Sequence, residues 1–223
     1  MHTWKTDYNV FWGEISDIPI DYEEYKLLSP KEIINKEIHY KIENQDLFLE
    51  SIYFPNYFDI ELFFQFGGDC PIGEWRPELI RNHLCALESQ KRVTQMCLES
   101  NQIYDYVLYI RPDVEIEAPF PVHQLNTIHQ KTLEHLYPIG IPDDNHFSGY
   151  NDRSAIVPFS SCEKYGKRID EIVEFRRNEG RIVSEKYTKY IVDKYFSHIE
   201  FLNFPFKIIR PYKEVIQEDS NIE

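Results

Sequence analysis

Cysteine is scarce in this sequence, and the four present, Cys70, Cys85, Cys97 and Cys162, follow no CxxC or Cys/His ligand spacing. Neither a zinc module nor a disulfide framework is signalled, so reduced thiols are expected. Long apolar runs are missing as well. None approaches the ~18 residues of a membrane span, and the N-terminus has no basic and apolar leader. The chain is therefore expected to be soluble, without a membrane span, and cytoplasmic. Positive charge is in short supply: 24 Lys and Arg stand against 38 Asp and Glu, a formal charge of -14. Such a surface repels a polyphosphate backbone and argues against nucleic acid or an anionic membrane as partner. Also missing are a GxGxxG or P-loop, a G-x-S-x-G elbow and an HExxH pair, which removes the corresponding nucleotide, hydrolase and zinc-protease readings.

What is present is enough chain for one core. At 223 residues, 42% hydrophobic and 28% charged, a single domain over residues 1–216 with a frayed tail at 217–223 is expected. Sixteen Tyr, 15 Phe and 3 Trp supply rings that fill cores and also line sugar or base pockets. Residues 1–45 show weak periodicity, with Pro19, Pro30 and the acidic run Asp21 to Glu24 marking loops. Phe48 to Phe66 reads as strand or short helix pieces closed by the Gly67-Gly68 loop.

Beyond Pro77 the pattern sharpens. No Pro or Gly follows until after Asn101, and Ile80, Leu84, Leu87, Val93 and Cys97 fall at helical spacing, which predicts a long amphipathic helix. Tyr106 to Ile110 is a continuous apolar run expected to form a buried strand. A helix around Pro121 to Leu136, a strand at Tyr137 to Ile141, a polar loop at Pro142 to Arg153 and a strand at Ser154 to Phe159 are expected next. Ser160 and Glu163 have capping-box spacing, with a helix continuing to about Asn178 before Gly180. A last helix from Ser184 and one or two strands within Ile199 to Ile209 close the series. The alternation of helix and strand predicts an α/β fold with a mostly parallel central sheet flanked by helices, ligands sitting beyond the C-terminal strand ends.

The chemistry-bearing residues gather at such ends. In an extended Asp113-Val114-Glu115, residues two apart point to one side, so Asp113 and Glu115 can offer oxygens to one Mg²⁺ or Mn²⁺. A solvated strand end has the same look. The loop holding Asp143, Asp144, His146, Asn151, Asp152 and Arg153 can contact an acceptor or supply a base, or it can be a set of side-chain turns with Arg153 paired internally. Glu185 can act as a base for an acceptor hydroxyl, although the plainer reading is an acid stabilised by the helix dipole in a first turn. Arg111, Lys207 and Arg210 are candidates to meet diphosphate oxygens.

The segment Tyr104-Asp105-Tyr106-Val107-Leu108-Tyr109-Ile110-Arg111-Pro112-Asp113 resembles the strand and acidic motif of GT-A-type glycosyltransferase-like proteins, in which a pattern such as YDYVxRxRPD precedes the metal-binding acids. His2-Thr3-Trp4 looks like their early HTW segment, and Gly149-Tyr150-Asn151-Asp152-Arg153-Ser154-Ala155 resembles their GxNDRFA segment. Ser184-Glu185 is similar to a further acidic position. The family's acidic pair is Asp-x-Asp, whereas the second member here is Glu115. In the family HTW follows a first strand and loop, so the chain looks truncated at its start.

The resemblance implies a GT-A-like, Rossmann-like architecture and a glycosyltransferase that moves a sugar from a nucleoside-diphosphate donor, a nucleotide sugar, to a hydroxyl acceptor such as a glycan. Asp113 and Glu115 would hold Mn²⁺ or Mg²⁺, Asp152 and Glu185 would be catalytic, and Arg111, His146, Asn151 and Arg153 would bind substrate. The rival is a non-catalytic carbohydrate-binding or structural module that keeps the fold. A nucleotidyl- or phosphotransferase using the same acids is a third possibility.

Overall fold

In a computed structural model, residues 77–111, 114–179, 182–203 and 205–208 are described, together with short strands earlier in the chain. Those early strands are β1 (His2–Lys5), β2 (Asn9–Phe11), β3 (Glu14–Ser16), β4 (Lys41–Asn44), β5 (Asp69–Cys70) and β6 (Gly73–Glu74). The HTW segment is β1, which pairs in parallel with β4. Phe48 to Phe66, Asp113, Arg210 and the tail at 217–223 lie outside the described residues.

The expected long helix is α1 (Pro77–Glu99). Pro77 suits a helix start because its missing N–H would have no helical partner there. Ile80, Leu84 and Leu87 form its buried stripe. The helix stops where Asn101 takes φ 56°, a left-handed conformation that Asn tolerates better than most residues. Next come β7 (Tyr106–Ile110), β8 (Val114–Ile116), α2 (Val122–Leu133), β9 (Pro138–Pro142) and β10 (Ser154–Pro158).

After β10 the expected continuous helix is broken. It appears as α3 (Cys162–Gly166), a 3₁₀ turn at Arg168–Glu171 and α4 (Ile172–Glu179). The break follows Gly166, where a β-carbon would lie 2.0 Å from Thr94 Oγ1 and 2.5 Å from the Tyr109 hydroxyl. The capping box also fails to form. Ser160 lies in a 3₁₀ turn, and Glu163 accepts from Lys167 Nζ at 2.5 Å instead. The chain closes with α5 (Ser184–Tyr195), β11 (His198–Leu202) and β12 (Phe206–Ile208).

The central sheet has the order β11-β9-β10-β7. Only β11 and β9 run parallel; β10 is antiparallel to both β9 and β7. The sheet is thus mixed, not mostly parallel, which corrects the expectation drawn from alternation. The reason is local: β9 and β10 are joined by the polar loop alone, and a parallel neighbour requires a crossover that returns the chain to the starting edge. Strand β7 ends the described sheet order, so the predicted buried strand is only half covered. Tyr109 faces the core while Leu108 and Ile110 are 43% and 40% exposed.

Side chains alternate across this sheet, giving two packed faces. Tyr109, Ile139, Ile141, Ala155 and Val157 meet Tyr165 of α3 and Val192 of α5 on one face. Ile156 and Leu202 meet Ile128 of α2 on the other. A further cluster joins Ile80, Leu84 and Leu87 of α1 to Ile172, Phe175, Tyr187 and Ile191. Helices therefore cover both faces of a mixed sheet.

The reversal of β10 has a functional consequence. Its first residue lies at the same sheet end as the last residues of β7, β9 and β11. Arg111 N–H donates to Arg153 C=O at 3.1 Å, tying the β7 exit to the entry of β10, and Asp143 N–H donates to Leu202 C=O at 3.1 Å, tying the β9 exit to that of β11. Among the described residues no helix is long and apolar enough to cross a membrane.

Candidate functional site

The loop from Asp143 to Arg153 is built around one buried amide. Asn151 is 1% exposed. Its Nδ2 donates to the Asp144 carbonyl at 2.9 Å and to Asp144 Oδ1 at 2.8 Å, while its Oδ1 accepts the Arg153 N–H at 2.9 Å. The last contact is an Asx-type turn, which aims the following Asp152-Arg153 pair. Asn151 N–H in turn approaches His146 Nδ1 at 3.3 Å, so that nitrogen is the acceptor and the neutral ring carries its proton on Nε2. Asn145, Phe147 and Ser148 take φ of 50°, 40° and 70°. A run of non-glycine residues in the left-handed region costs free energy and is retained only where surrounding contacts impose it.

Those contacts come from the first turn of α5. Tyr150 N–H donates to Glu185 C=O at 3.0 Å. A β-carbon on Gly149 would stand 2.0 Å from that oxygen and 2.5 Å from Lys186 N, so only glycine allows the loop to lie against the helix. This close approach brings Asp152, Arg153 and Glu185 together.

Glu185 is partly buried, and its Oε2 accepts from Ser184 Oγ at 2.9 Å. Burial pushes its carboxyl up to about 7, and the Asp152 charge adds to the rise; the Ser184 hydrogen bond and the Arg153 guanidinium act against it. A first-turn acid is ordinarily stabilised in its charged form by the helix dipole. Here desolvation and a neighbouring carboxylate outweigh that field, which is how proteins prepare a carboxyl to exchange protons near neutrality.

His83 of α1 stands behind this group. It is buried on the apolar stripe and packs edge to face with Tyr187 at 6.2 Å. Burial lowers its pKa to about 4, Asp152 opposes that shift, and Arg168 and Arg111 reinforce it. His83 is therefore a neutral imidazole within the electrostatic reach of Asp152. It belongs to no ligand spacing in the sequence, and its place between Ile80 and Leu87 is the one sequence sign of its burial. Arg168 belongs to no motif either. It is 4% exposed, lies over the Tyr165 ring at 4.1 Å and donates to the Tyr165 carbonyl at 3.0 Å.

The remaining expected residues divide into two groups. Arg111 is exposed at the β7 exit and is joined to Arg153 by the backbone; the Arg153 guanidinium lies 5.9 Å from the Phe206 ring centroid. His146 is part of the loop, its Nε2 3.9 Å from Asp143 Oδ1. Glu115 belongs elsewhere. In the β8–β12 ribbon it is opposite Lys207, while Phe206 is opposite Ile116. Neighbouring strand residues point to opposite faces, so Glu115 projects away from the face on which Arg153 meets Phe206.

Mg²⁺ is often held by one or two carboxylates with substrate oxygens completing its shell. Of the expected pair, Glu115 is described, exposed and paired in strand register with Lys207; Asp113 is outside the described residues. Among the described residues no group of three or more His, Cys, Asp or Glu side chains converges as a metal cage. Chemically, the arrangement offers a proton-exchanging carboxyl, a second carboxylate and a cation at one sheet end. Compared with known proteins, the chain matches no family model and no curated protein.

Proposed function

We propose that this protein is a GT-A-like glycosyltransferase in which Glu185 removes the proton from an acceptor hydroxyl while a sugar leaves its nucleoside diphosphate. The observation that carries this reading is the partly buried Glu185 carboxyl beside Asp152 and Arg153 at the shared exit of β7 and β9. A carboxyl whose pKa lies near 7 is matched to taking a proton at neutral pH. Asp152 keeps negative potential next to the base and can orient the hydroxyl. Arg153 and Arg111 supply guanidinium groups suited to diphosphate oxygens. A bound Mn²⁺ or Mg²⁺ would supply neutralisation of the diphosphate, with Asp113 and Glu115 as its candidate ligands.

A non-catalytic carbohydrate-binding module is the competing reading, and Lys207 opposite Glu115 favours it. Lys207 is the cross-strand neighbour of Glu115, so a positive charge already belongs to the face from which that carboxylate would have to hold a cation. Release of nucleoside diphosphate from a panel of nucleotide sugars, with Mn²⁺ and with chelator, separates the two. Turnover by the native chain, lost in Glu185→Gln while the variant keeps its fold, supports the transferase. No turnover of any donor by folded protein establishes the module instead.

A further inference from the structure

A cluster of rings lies beside the Glu185 peptide, with one member, Tyr150, also packed against the sheet core. His146 and Tyr150 of the loop meet Phe201 near the end of β11, with centroids 5.3 Å apart for His146–Phe201, 6.1 Å for His146–Tyr150 and 6.2 Å for Tyr150–Phe201. All three pairs are edge to face. Phe201 shares a sheet face with Ile199, two residues earlier, which packs on the core; Phe201 itself stays 40% exposed. Phe147, held at φ 40°, is 42% exposed in the same loop. Large rings exposed singly are commonplace, but several gathered beside an ionisable carboxyl form a patch with a use.

The polar fringe of this patch narrows what it takes. Lys189 Nζ lies 4.7 Å from the Tyr150 ring centroid, and Tyr150 OH donates to Asp193 Oδ1 at 3.2 Å. The Lys189 ammonium covers one face of the half-buried Tyr150 ring, which leaves the exposed Phe201 ring, beside the Tyr150 hydroxyl and its Asp193 partner, as the surface that matches a pyranose. The C–H face of such a sugar packs on the negative face of an aromatic ring while its hydroxyls bond around the edge. Lys189 is already paired with Asp193, which leaves little free positive charge for an anionic ligand such as a nucleotide. Tyr150 is joined to Glu185 through its own backbone, so whatever rests on these rings lies next to the proposed base.

We propose that His146, Tyr150 and Phe201 form an acceptor subsite that binds a neutral pyranose unit of an oligosaccharide. This rests on the glycosyl-transfer reading for its role, but not for its binding. Saturation-transfer NMR on the full chain, with cellotetraose, maltotetraose and chitotetraose as probes and no nucleotide sugar present, tests it directly. The native protein is expected to bind at least one of the three. Phe201→Ala should weaken that binding about tenfold, whereas Phe201→Trp should stay within about threefold. Near-ultraviolet circular dichroism establishes that both variants are folded. Three results overturn the subsite: no binding of any probe by folded native protein, unchanged affinity in Phe201→Ala, or displacement of the sugar by uridine. Nucleotide-sugar turnover by the native chain is measured separately. Sugar binding without turnover keeps the subsite and removes the transferase reading; turnover with unchanged sugar affinity in Phe201→Ala removes the subsite alone.

Discussion

Tyr150 is joined to Glu185 backbone to backbone, its N–H donating to the Glu185 carbonyl at 3.0 Å, with Gly149 in van der Waals contact with the same peptide. The loop and the first turn of α5 are therefore one unit, and disturbing one displaces the other.

Gly149→Ala tests that unity. The added β-carbon would meet backbone atoms 2.0 and 2.1 Å away, which cannot rotate aside as a side chain could. Either the loop lifts or the helix start shifts, at a cost of about 1–3 kcal/mol typical of overpacking. Thermal unfolding should show the lower stability. The pKa of Glu185, followed by carbon-detected NMR, should fall as water reaches the carboxyl. An unchanged pKa would mean that the contact does not maintain its burial.

Glu185 also makes stability depend on pH in an unusual direction. Its folded pKa is raised to about 7 from the ordinary carboxyl value of 4.5, so between those values the folded chain holds a proton that the unfolded chain has released. Stability from this group is fully present below the unfolded pKa, declines as pH rises through the window and is lost above about 7. Glu185→Gln keeps the size and removes the titration. At about pH 8 the variant should be more stable than the native chain by on the order of 1 kcal/mol, a figure reduced for the group's partial exposure. At about pH 4 the difference should vanish. Urea titrations across that range measure it. Activity, if Glu185 is the base, should rise as pH passes the same pKa, and should be absent in the variant.

Part of this was readable in the sequence. The stripe of Ile80, Leu84 and Leu87, uninterrupted by Pro or Gly, defines α1, and Tyr187 with Ile191 defines the buried side of α5. The strands around the site also fall where apolar runs lie. Strand direction did not follow, because it depends on β9 and β10 meeting through a helix-free loop, a pairing that no local pattern announces. The helix break after Gly166 was hidden for a similar reason: the atoms that require it, Thr94 Oγ1 and the Tyr109 hydroxyl, come from α1 and β7. At the site, the residue types were visible and their surroundings were not. Glu185 reads as a dipole-stabilised surface acid until Asp152 and its own burial are known, and His83 reads as an ordinary core residue until its nearness to Asp152 is seen.

Asn151 provides a separable test of the loop. Its amide group bonds Asp144 twice and receives the Arg153 N–H while almost wholly buried. Asn151→Ala strands these groups and should cost about 1–3 kcal/mol, since an unmet buried polar group is more expensive than a bond is favourable. Asn151→Asp is more informative. It still accepts from Arg153 N–H, but at neutral pH it sets one carboxylate against that of Asp144. The Asp variant should regain most of its lost stability on acidification, whereas the Ala variant should not. Equal behaviour of the two variants across the pH range would show that Asp144 is not the partner that matters.

The packing behind the site can be probed where α1, β7 and α3 converge. The Tyr109 hydroxyl lies 3.0 Å from both Thr94 Oγ1 and the Cys162 carbonyl, and burial holds its pKa above the usual phenol range. Tyr109→Phe removes the hydroxyl but keeps the ring, so it should cost only about 1 kcal/mol for a lost buried hydrogen bond, less if Thr94 turns wholly to the Gln90 carbonyl it already meets at 2.7 Å. Gly166→Ala acts on the same spot from the other side and should be far worse, because its β-carbon would overlap Thr94 Oγ1 at 2.0 Å and its backbone neighbours are fixed by α3. Combining Gly166→Ala with Thr94→Ala and Tyr109→Phe removes the hydroxyl and methyl of Thr94 and the hydroxyl of Tyr109, the three atoms that the new β-carbon would meet. If steric overlap is the cause, the triple variant should recover part of the Gly166→Ala loss in denaturant titrations. Strict additivity would place the damage in the backbone of the Gly166 turn rather than in its contacts.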